Sequence, residues 1–417
     1  MEGIRIAMPR QSRGSRLGVY AVSLLLSAPA SAQVTTPSAL TLNAAMDRAM
    51  GANPTIAAAR LRGAINVAGL GVAGEWLNPE LSVEFEKETP KQAFSFAVPL
   101  ELGGKRAKRI SVSQATIRAG DAEVAATIAQ VRNDVRRAYY GVLVSESRLT
   151  LMNEMRDIAV RFRDTAQQRF DAGSAPRLEV MQAQLALATV ENEATAAQGN
   201  AAATRAQLNA LLGQPLQTVM SLTTAVDSGE PLTIEAAMSL AQTSSTELMV
   251  LDRQIDTQRA KVTLAEALRK PDLIPTASLT RDSQPEFQYG WRAGLAVTLP
   301  VFTSHRAGVA VEQATLEQLD AQRQAAVVRI NGAVTAAVVT VQAQRQLYVR
   351  YRDEILPQAQ QVEQLAQDAY QLGQTGIATL LPALQSTRDA RLRSLDAISQ
   401  FQNALADLER AVGAPLP

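Results

Sequence analysis

A short segment in the second half of the chain, from Gln288 to Leu299, alternates strictly between apolar and mixed residues. A two-residue period of this kind is typical of a β-strand with one apolar face. Tyr289 and Trp291 lie near one end of that face, as aromatic side chains do where a strand crosses a membrane–water boundary. The segment is therefore predicted to cross a membrane. A half-buried strand in a soluble sheet is the alternative.

Three further segments alternate in the same way, and together they indicate two strand pairs, near 81–102 and 274–302. Most of the remaining chain has the period of helix. Four strands cannot close a membrane barrel, since such barrels start at about eight strands. An open sheet in lipid would leave the backbone groups of its edges unpaired. Strands in this number would have to be pooled between copies, and a trimer would supply twelve.

Residues 1–32 have the organisation of a secretory signal peptide. Arginines precede an apolar stretch at 17–26, and Ala30-Ser31-Ala32 forms a small-residue cleavage site. A membrane anchor is the less favoured alternative, because the stretch is shorter than the roughly 20 residues that span a bilayer. Beyond it, no run is expected to form a membrane helix, so any spanning element of the exported chain should be strand.

The chain of 417 residues has 41 basic and 40 acidic residues, no cysteine and one histidine. The balanced charge gives no sign of nucleic-acid binding. Without Cys there is no thiolate metal site, and His305 alone is poor support for a metal site or for a His-dependent catalytic group. We therefore expect no enzyme activity, no cofactor and no tightly held metal ion.

The exported part of the chain is predicted to be a duplication. TLNAAM at 41–46 recurs as TIEAAM at 233–238, and NPEL at 78–81 recurs as KPDL at 270–273, both at a spacing of 192 residues. Near the end of each copy, ALLGQP at 210–215 recurs as RAVGAP after a spacing of 200 residues. We assign the eight additional residues of the second copy to its strands.

Each repeat has the predicted order helix, strand pair, very long helix, turn and returning helix. The assigned ranges are 33–214 for the first repeat, with long helix 105–171 and returning helix 177–213, 215–232 for a connector, and 233–417 for the second repeat, with long helix 306–371 and returning helix 377–413. Each long helix would extend about 100 Å. Two shorter helices stacked end to end match that length, so the connector is expected at mid-height. A tall coiled-coil sleeve results, with strands at one end and turns at the other.

The segment ELGGKRAKR, residues 101–109, joins the first strand pair to the long helix. Cations in the first turns of a helix oppose its dipole, so carboxylates on neighbouring strands or helices are expected to offset them. The spacing of a phosphate-binding loop is absent. The segment is interpreted as a structural junction between barrel and sleeve.

These features resemble the TolC family of outer-membrane efflux channels over essentially the whole exported chain. The most specific parts are the order of elements and two turn motifs, RFDAGSAPRLEV at 169–180 and AYQLGQTGIATL at 369–380, while PLELGGKRAKR at 99–109 resembles the CzcC-like heavy-metal branch. The resemblance implies a mainly α homotrimer with a twelve-stranded barrel in outer-membrane lipid and a helical barrel in the periplasm. It also implies two partners, a periplasmic adaptor protein and an inner-membrane pump of the resistance-nodulation-division type.

The resemblance also implies functional residues. The exposed turns expected to contact the adaptor comprise Gly173, Ser174, Ala175 and Pro176, and Gly373, Gln374, Thr375 and Gly376. Glu179 and Tyr370 correspond to the periplasmic pore entrance, where three copies of Glu179 would form a carboxylate ring that favours cations. The counterpart of Glu179 is Thr379, and Pro382 replaces another family acid, so the entrance network is only partly retained. A solvated helix acid is the alternative for Glu179.

The function favoured by these observations is a passive export duct for heavy-metal cations of the cobalt, zinc and cadmium type, driven by a partner pump. Drug export and type I secretion are alternatives within the same class of channel. A periplasmic coiled-coil adaptor without a pore is the alternative from another class.

Overall fold

The computed structural model describes residues 39–88, 90–223, 232–284 and 287–416. The predicted signal peptide, 1–32, lies outside these residues. The helices are α1 (Leu42–Ala52), α2 (Pro54–Gly74), α3 (Lys105–Asp171), α4 (Arg177–Leu211), α5 (Ile234–Ser244), α6 (Thr246–Ala267), α7 (Arg306–Arg350), α8 (Leu356–Gln371) and α9 (Ile377–Val412). The strands are β1 (Glu80–Phe85), β2 (Gln92–Ala97), β3 (Asp272–Gln284) and β4 (Phe287–Thr298).

The long helix of the first repeat is α-helical throughout, whereas that of the second repeat contains one π-helical turn. α3 extends over 67 residues with the bounds predicted from the sequence. Between α7 and α8 the backbone forms one π-helical turn, Tyr351–Ile355. Pro357 follows in the first turn of α8. Because proline has no N–H and crowds the carbonyl of the preceding turn, the α-helical hydrogen-bond ladder is locally irregular here, although the backbone stays helical over the predicted range 306–371.

The first helix of each repeat is also broken, where a single helix was expected. Asn53 separates α1 from α2, and its side-chain oxygen accepts a hydrogen bond from the backbone N–H of Thr55 at 2.8 Å. Ser245 separates α5 from α6 and accepts from the N–H of Leu248 at 3.4 Å. Both residues have extended backbone angles and cap the second helix of the pair. The capping side chains therefore explain both breaks.

The helices pack in two similar cores, one for each repeat. In the first, α1 and the end of α4 pack on the middle of α3 around Val135 and Tyr139. In the second, α5 and α9 pack on α7 around Val334 and Phe401. α3 also contacts α6 and α9, so elements of both repeats lie beside it. The long helix of the first repeat thus lies beside both α4 and α6.

The four strands form one antiparallel sheet in the order β1-β2-β3-β4. The second hairpin, with strands of 13 and 12 residues, is longer than the first, which has two strands of six. β2 ends at Ala97 and β4 at Thr298, shortly before Pro99 and Pro300 respectively. The predicted strand ends at 102 and 302 were therefore too late, although Leu100 and Leu273 still form an isolated bridge.

Within the described residues, two helical segments are long and apolar enough to cross a membrane by length and composition alone: Pro54–Gly74 and Arg306–Gln371. The expectation that no run of the exported chain is long and apolar enough for a membrane helix is corrected on this point. Both segments are rich in Ala, Val and Gly, which raises their mean hydropathy. α2 nevertheless carries Arg60 and Arg62, and most of its surface is uncovered in the single chain.

Candidate membrane sheet, periplasmic tips and entrance contact

The sheet has one apolar face and one polar face, and the register of all three strand pairs keeps them separate. The large apolar residues on one face are Leu81, Val83, Phe85, Phe94, Phe96, Leu279, Tyr289, Trp291, Leu295 and Val297. All of them are exposed in the single chain, and the predicted boundary residue Trp291 is 83% exposed. The opposite face carries mainly Ser, Thr, Gly and Glu. A face this apolar is suited to lipid, and the other to water.

Both outer strands of this sheet have an open edge among the described residues. β1 pairs only with β2, and β4 pairs only with β3. An open edge leaves a row of backbone N–H and C=O groups without partners, which is costly in lipid and templates pairing with another chain. The geometry of one chain is therefore that of a barrel fragment.

The two predicted tips at the opposite end of the helices have the same backbone conformation. After α3, the N–H of Ser174 donates to the carbonyl of Arg169 at 2.7 Å, and after α8 the N–H of Gln374 donates to that of Ala369 at 2.9 Å. Gly173 and Gly373 have φ of 72° and 71°. Both tips are thus glycine-ended helix turns. Six of the eight predicted contact residues are exposed, and Ala175 and Thr375 are intermediate.

The two predicted entrance residues, 191 positions apart in the sequence, are in direct contact. The phenolic Oη of Tyr370, near the end of α8, donates a hydrogen bond to Glu179 Oε1, in the first turn of α4, at 2.8 Å. Arg169 lies beside both: its guanidinium is 3.3 Å from Glu179 Oε1 and 5.1 Å from the centre of the Tyr370 ring. The contact joins the hairpin of the first repeat to that of the second.

Both side chains of this contact are buried. Glu179 is 6% exposed and Tyr370 is 1% exposed, within an apolar cluster that includes Phe162 and Leu380. Burial, followed by the hydrogen bond to Glu179 and then by its charge, raises the pKa of Tyr370 to about 12. The phenol therefore stays protonated and continues to donate over the physiological range.

The position of Glu179 changes both interpretations made from the sequence. It is not a solvated helix acid, since it is buried. Nor does this conformation present a free carboxylate, because Tyr370 and Arg169 both engage it. A carboxylate engaged in this way is not free to form the predicted cation-favouring ring. The geometry is suited to holding the two helical hairpins together.

The junction between sheet and helices supplies the carboxylates expected there. Lys105 Nζ lies 2.7 Å from Asp272 Oδ2, and Lys105 is only 5% exposed. Arg109 pairs with Glu101. Arg106 donates to the carbonyl of Gly74 at 2.6 Å and stacks over an exposed tryptophan at 4.5 Å. The basic cluster is therefore a joint that connects α3 to β3 and to the end of α2.

No cluster of three or more His, Asp or Glu side chains able to hold a metal ion occurs among the described residues. His305 is the residue before α7, with a left-handed backbone at φ 53°. It occupies the place that Gly104, at φ 71°, has before α3. Its conformation marks the junction between the strands and the long helix of the second repeat, and among the described residues it belongs to no group that could hold a metal ion.

Sequence reasoning missed Arg169 at the entrance and Asp272 at the junction. Arg169 stands in the turn motif RFDAG, where the other repeat has Ala369. The sequence did offer a signal for Arg169, because the motif carries a charge at this position in one repeat and not in the other. Asp272 belongs to KPDL, the counterpart of NPEL; its partner Lys105 lies 167 positions away, so no local spacing indicates the pair.

Comparison with known proteins agrees with this architecture. The family model "Outer membrane efflux protein" matches residues 45–214 and again 237–414, one match for each repeat. The cobalt-zinc-cadmium resistance protein CzcC of Cupriavidus metallidurans is 26% identical over 384 residues, which cover 90% of either chain. The nickel-cobalt-cadmium resistance protein NccC of Alcaligenes xylosoxydans xylosoxydans is 25% identical over 315 residues, 69% of this chain and 67% of that protein.

A crystal structure of CusC, described in terms of transmembrane channel formation, superimposes with a TM-score of 0.75 at 17% identity and covers 91% of this chain and 93% of that one. The fold is accordingly that of the TolC-like channels. The double match of the family model covers most of the sequence, in the same two repeats that the structure displays. The chain belongs to the outer membrane efflux protein family.

Proposed function

We propose that the chain is the outer-membrane channel subunit of a tripartite efflux system and that it acts as a passive trimeric duct driven by an inner-membrane pump. The observation that carries this proposal is the open four-stranded sheet with one exposed apolar face. Three copies supply twelve strands, enough for a closed barrel, and closure removes every unpaired edge. Removal of residues 1–32 as a signal peptide is part of the proposal.

The proposed cargo is a heavy-metal cation of the cobalt, zinc and cadmium type. Support comes from the named activities of the relatives CzcC and NccC. The described residues offer the metal no chelating cluster, and a conduit works without one, because tight binding slows release. Selection of the cargo is therefore assigned to the pump.

The proposed closure of the duct uses the Tyr370–Glu179 contact. It ties the tip of the second hairpin to that of the first, at the end of the helices away from the sheet. Since the bond is buried and charge-assisted, it holds the entrance closed until a partner displaces one hairpin. Docking of the adaptor on the adjacent exposed tips would supply that displacement.

The tip proposal is tested by replacing Gly173 or Gly373 with Glu. Both positions have a left-handed backbone that strains any side chain, but apart from the adjacent residues no described atom lies within 4 Å of a Cβ built at either position, so the new side chain enters open space. We expect trimers in the outer membrane at wild-type level and loss of export. The matched control is Gly104→Glu, where the backbone is also left-handed and the space also open but no tip is involved. Normal export by both tip variants would exclude them as the docking site.

The cargo proposal is tested by deleting the gene and measuring growth on zinc, cobalt, cadmium, nickel, dyes and detergents, with the wild-type gene restored as control. Loss of resistance to the divalent cations alone supports metal export. Loss of resistance to dyes and detergents instead assigns the duct to drug export. Cell fractionation separates the remaining alternative: a periplasmic scaffold would be recovered as soluble single chains.

A further inference from the structure

The sheet contains an internal seam where the first repeat meets the second. There β2, the last strand of the first repeat, pairs with β3, the first strand of the second. At the helical end of this seam Lys105 Nζ contacts Asp272 Oδ2 at 2.7 Å, and the N–H of Leu102 donates to Asp272 Oδ1 at 3.0 Å. The carboxylate of Asp272, at the start of β3, thus connects the second repeat to the junction segment and to α3 of the first repeat.

In the proposed trimer a second kind of seam exists, where β4 of one copy lies beside β1 of the next. This seam also joins the last strand of a second repeat to the first strand of a first repeat. The duplication makes it the counterpart of the internal seam. The pairing of this second seam rests on the proposed trimer, and it specifies the strand register and the residues that join neighbouring copies.

The residues that correspond across the duplication can be read from the sequence and backbone. Asp272 follows Pro271 at the start of β3, and Glu80 follows Pro79 at the start of β1, 192 positions earlier. Arg306 is the first residue of α7, as Lys105 is of α3. Both follow a residue with left-handed backbone, so these two starts are equivalent, 201 positions apart.

We propose that Arg306 of one copy forms an ion pair with Glu80 of the neighbouring copy and that this pair closes each of the three seams of the barrel. Both side chains are exposed in the single chain. Neither has a hydrogen bond or ion pair within the described part. Arg306 stands in the first turn of α7, where a cation is opposed by the helix dipole. Glu80 supplies the offset that Asp272 supplies to Lys105.

The same correspondence fixes the strand register of the seam. The isolated bridge of Leu100 with Leu273 in the internal seam becomes Val301 with Leu81 of the neighbouring copy. The pair Ala97 with Thr276 becomes Thr298 with Glu84 of the neighbouring copy.

This register passes an independent check on the faces of the sheet. Val301 and Leu81 are both apolar, and Thr298 and Glu84 both belong to the polar face. A slip of one residue would bring an apolar side chain to the polar face along the whole strand. The faces of the sheet therefore agree with the register that the duplication gives and exclude a slip of one residue.

Disulfide trapping tests the register. The natural chain has no cysteine, so only introduced residues react. Thr298→Cys combined with Glu84→Cys should give covalently linked trimers when the outer membrane is oxidised, since a disulfide needs Cα atoms within about 7 Å. Thr298→Cys combined with Val83→Cys is the matched control. Its side chains lie on opposite faces, and it should remain unlinked.

Charge exchange tests the ion pair. Arg306→Glu and Glu80→Arg should each lower the temperature at which the trimer dissociates in detergent, by about 2 °C. The double variant should recover most of that loss. Arg269→Glu combined with Glu80→Arg is the control, because Arg269 is an exposed cation near the same junction without a place in the seam. It should show no recovery.

The outcomes separate this inference from the proposed function. If the wild-type chain forms trimers but cross-links in another register, or the exchanged charges recover nothing, the pairing is overturned and the channel stands. If the wild-type chain forms no trimer, the proposed function itself fails. Covalent trimers together with recovery by the double variant would support the pairing.

Discussion

At the residue scale, the proposed closure of the pore entrance depends on three side chains near the tips. Tyr370 donates to a carboxylate buried beside it, and Arg169 balances that charge. Removing a partner from a buried charged group costs more than the bond contributes on average, because the group stays desolvated. Substitutions here should therefore alter the closed state far more than their small change in volume suggests.

Replacing Tyr370 with Phe should favour the open entrance. The ring and its packing against Phe162 are kept, while the hydrogen bond to Glu179 is lost. At about 2 kcal/mol for a bond to a charged group, the ratio of open to closed channels should rise about 30-fold. Single-channel recordings in planar bilayers measure this ratio. Tyr348→Phe is the control, since Tyr348 stacks on Phe401 in another core; equal effects of the two variants would contradict the assignment.

The same tyrosine predicts a flat pH response on the alkaline side. Its pKa is raised to about 12, against about 10 for an unfolded tyrosine. A group whose pKa is raised on folding contributes its full stabilisation below the unfolded pKa, and that contribution is lost as the pH passes the folded pKa. We expect wild-type conductance to be constant from pH 8 to about 10. A step in that range that Tyr370→Phe abolishes would be inconsistent with the contact.

His305 should be replaceable by Gly with a gain in stability. Its backbone has φ 53°, a left-handed conformation that costs a side-chain-bearing residue about 1–2 kcal/mol. Glycine removes that cost. Part of the gain in stability is offset, because glycine leaves the unfolded chain with more conformational freedom to lose on folding. Thermal denaturation followed by circular dichroism should show a higher midpoint for His305→Gly. Gly104→Ala, the reverse change at the equivalent position, should lower it.

At the scale of elements, the fold depends on close approach at the ends of the returning helices. After α4, a Cβ on Gly213 would overlap the carbonyl of Ala52, at the break between α1 and α2. After α9, a Cβ on Gly413 would overlap the carbonyl of Ser244, at the break between α5 and α6. The helix breaks and the glycines are therefore parts of one joint, present once in each repeat.

This joint predicts a graded response to alanine. Gly413→Ala combines a left-handed backbone with a steric overlap, whereas Gly373→Ala has the same backbone in open space. The first should cost more than about 2 kcal/mol and the second about 1 kcal/mol. Comparing denaturation midpoints of the two variants checks the order. Equal destabilisation would show that backbone conformation alone, and not the joint, is what matters.

Much of the element order followed from the sequence, for physical reasons. α3 was bounded correctly because no proline lies within it and glycine turns flank it. The breaks at Asn53 and Ser245 were missed, although Asn before Pro54 is a typical start signal. Helical periodicity continues across such short caps and conceals them. The π-helical turn before Pro357 was missed for the same reason.

The entrance contact could be predicted only in part. Tyr370 and Glu179 were each identified through resemblance to a family, but their hydrogen bond depends on the packing of two hairpins. No spacing in the sequence indicates it. Periodicity describes one element at a time, whereas Arg169 and Glu179 meet because α3, α4 and α8 converge.

At the scale of the whole molecule, a single chain leaves backbone edges unpaired and apolar surfaces uncovered. The edges of its sheet are open and its apolar sheet face is uncovered. The face of α2 that carries Leu61 and Ile65 is exposed as well. Surfaces of this kind are covered by lipid or by further copies. The same uncovered surfaces therefore support both the membrane location and the proposed trimer.

The central claim is that three copies share one barrel, and native mass spectrometry of the protein extracted from the outer membrane tests it most directly. The account predicts particles that contain three chains and release single chains only after heating in detergent. A particle of one chain, recovered from the water-soluble fraction, would contradict it.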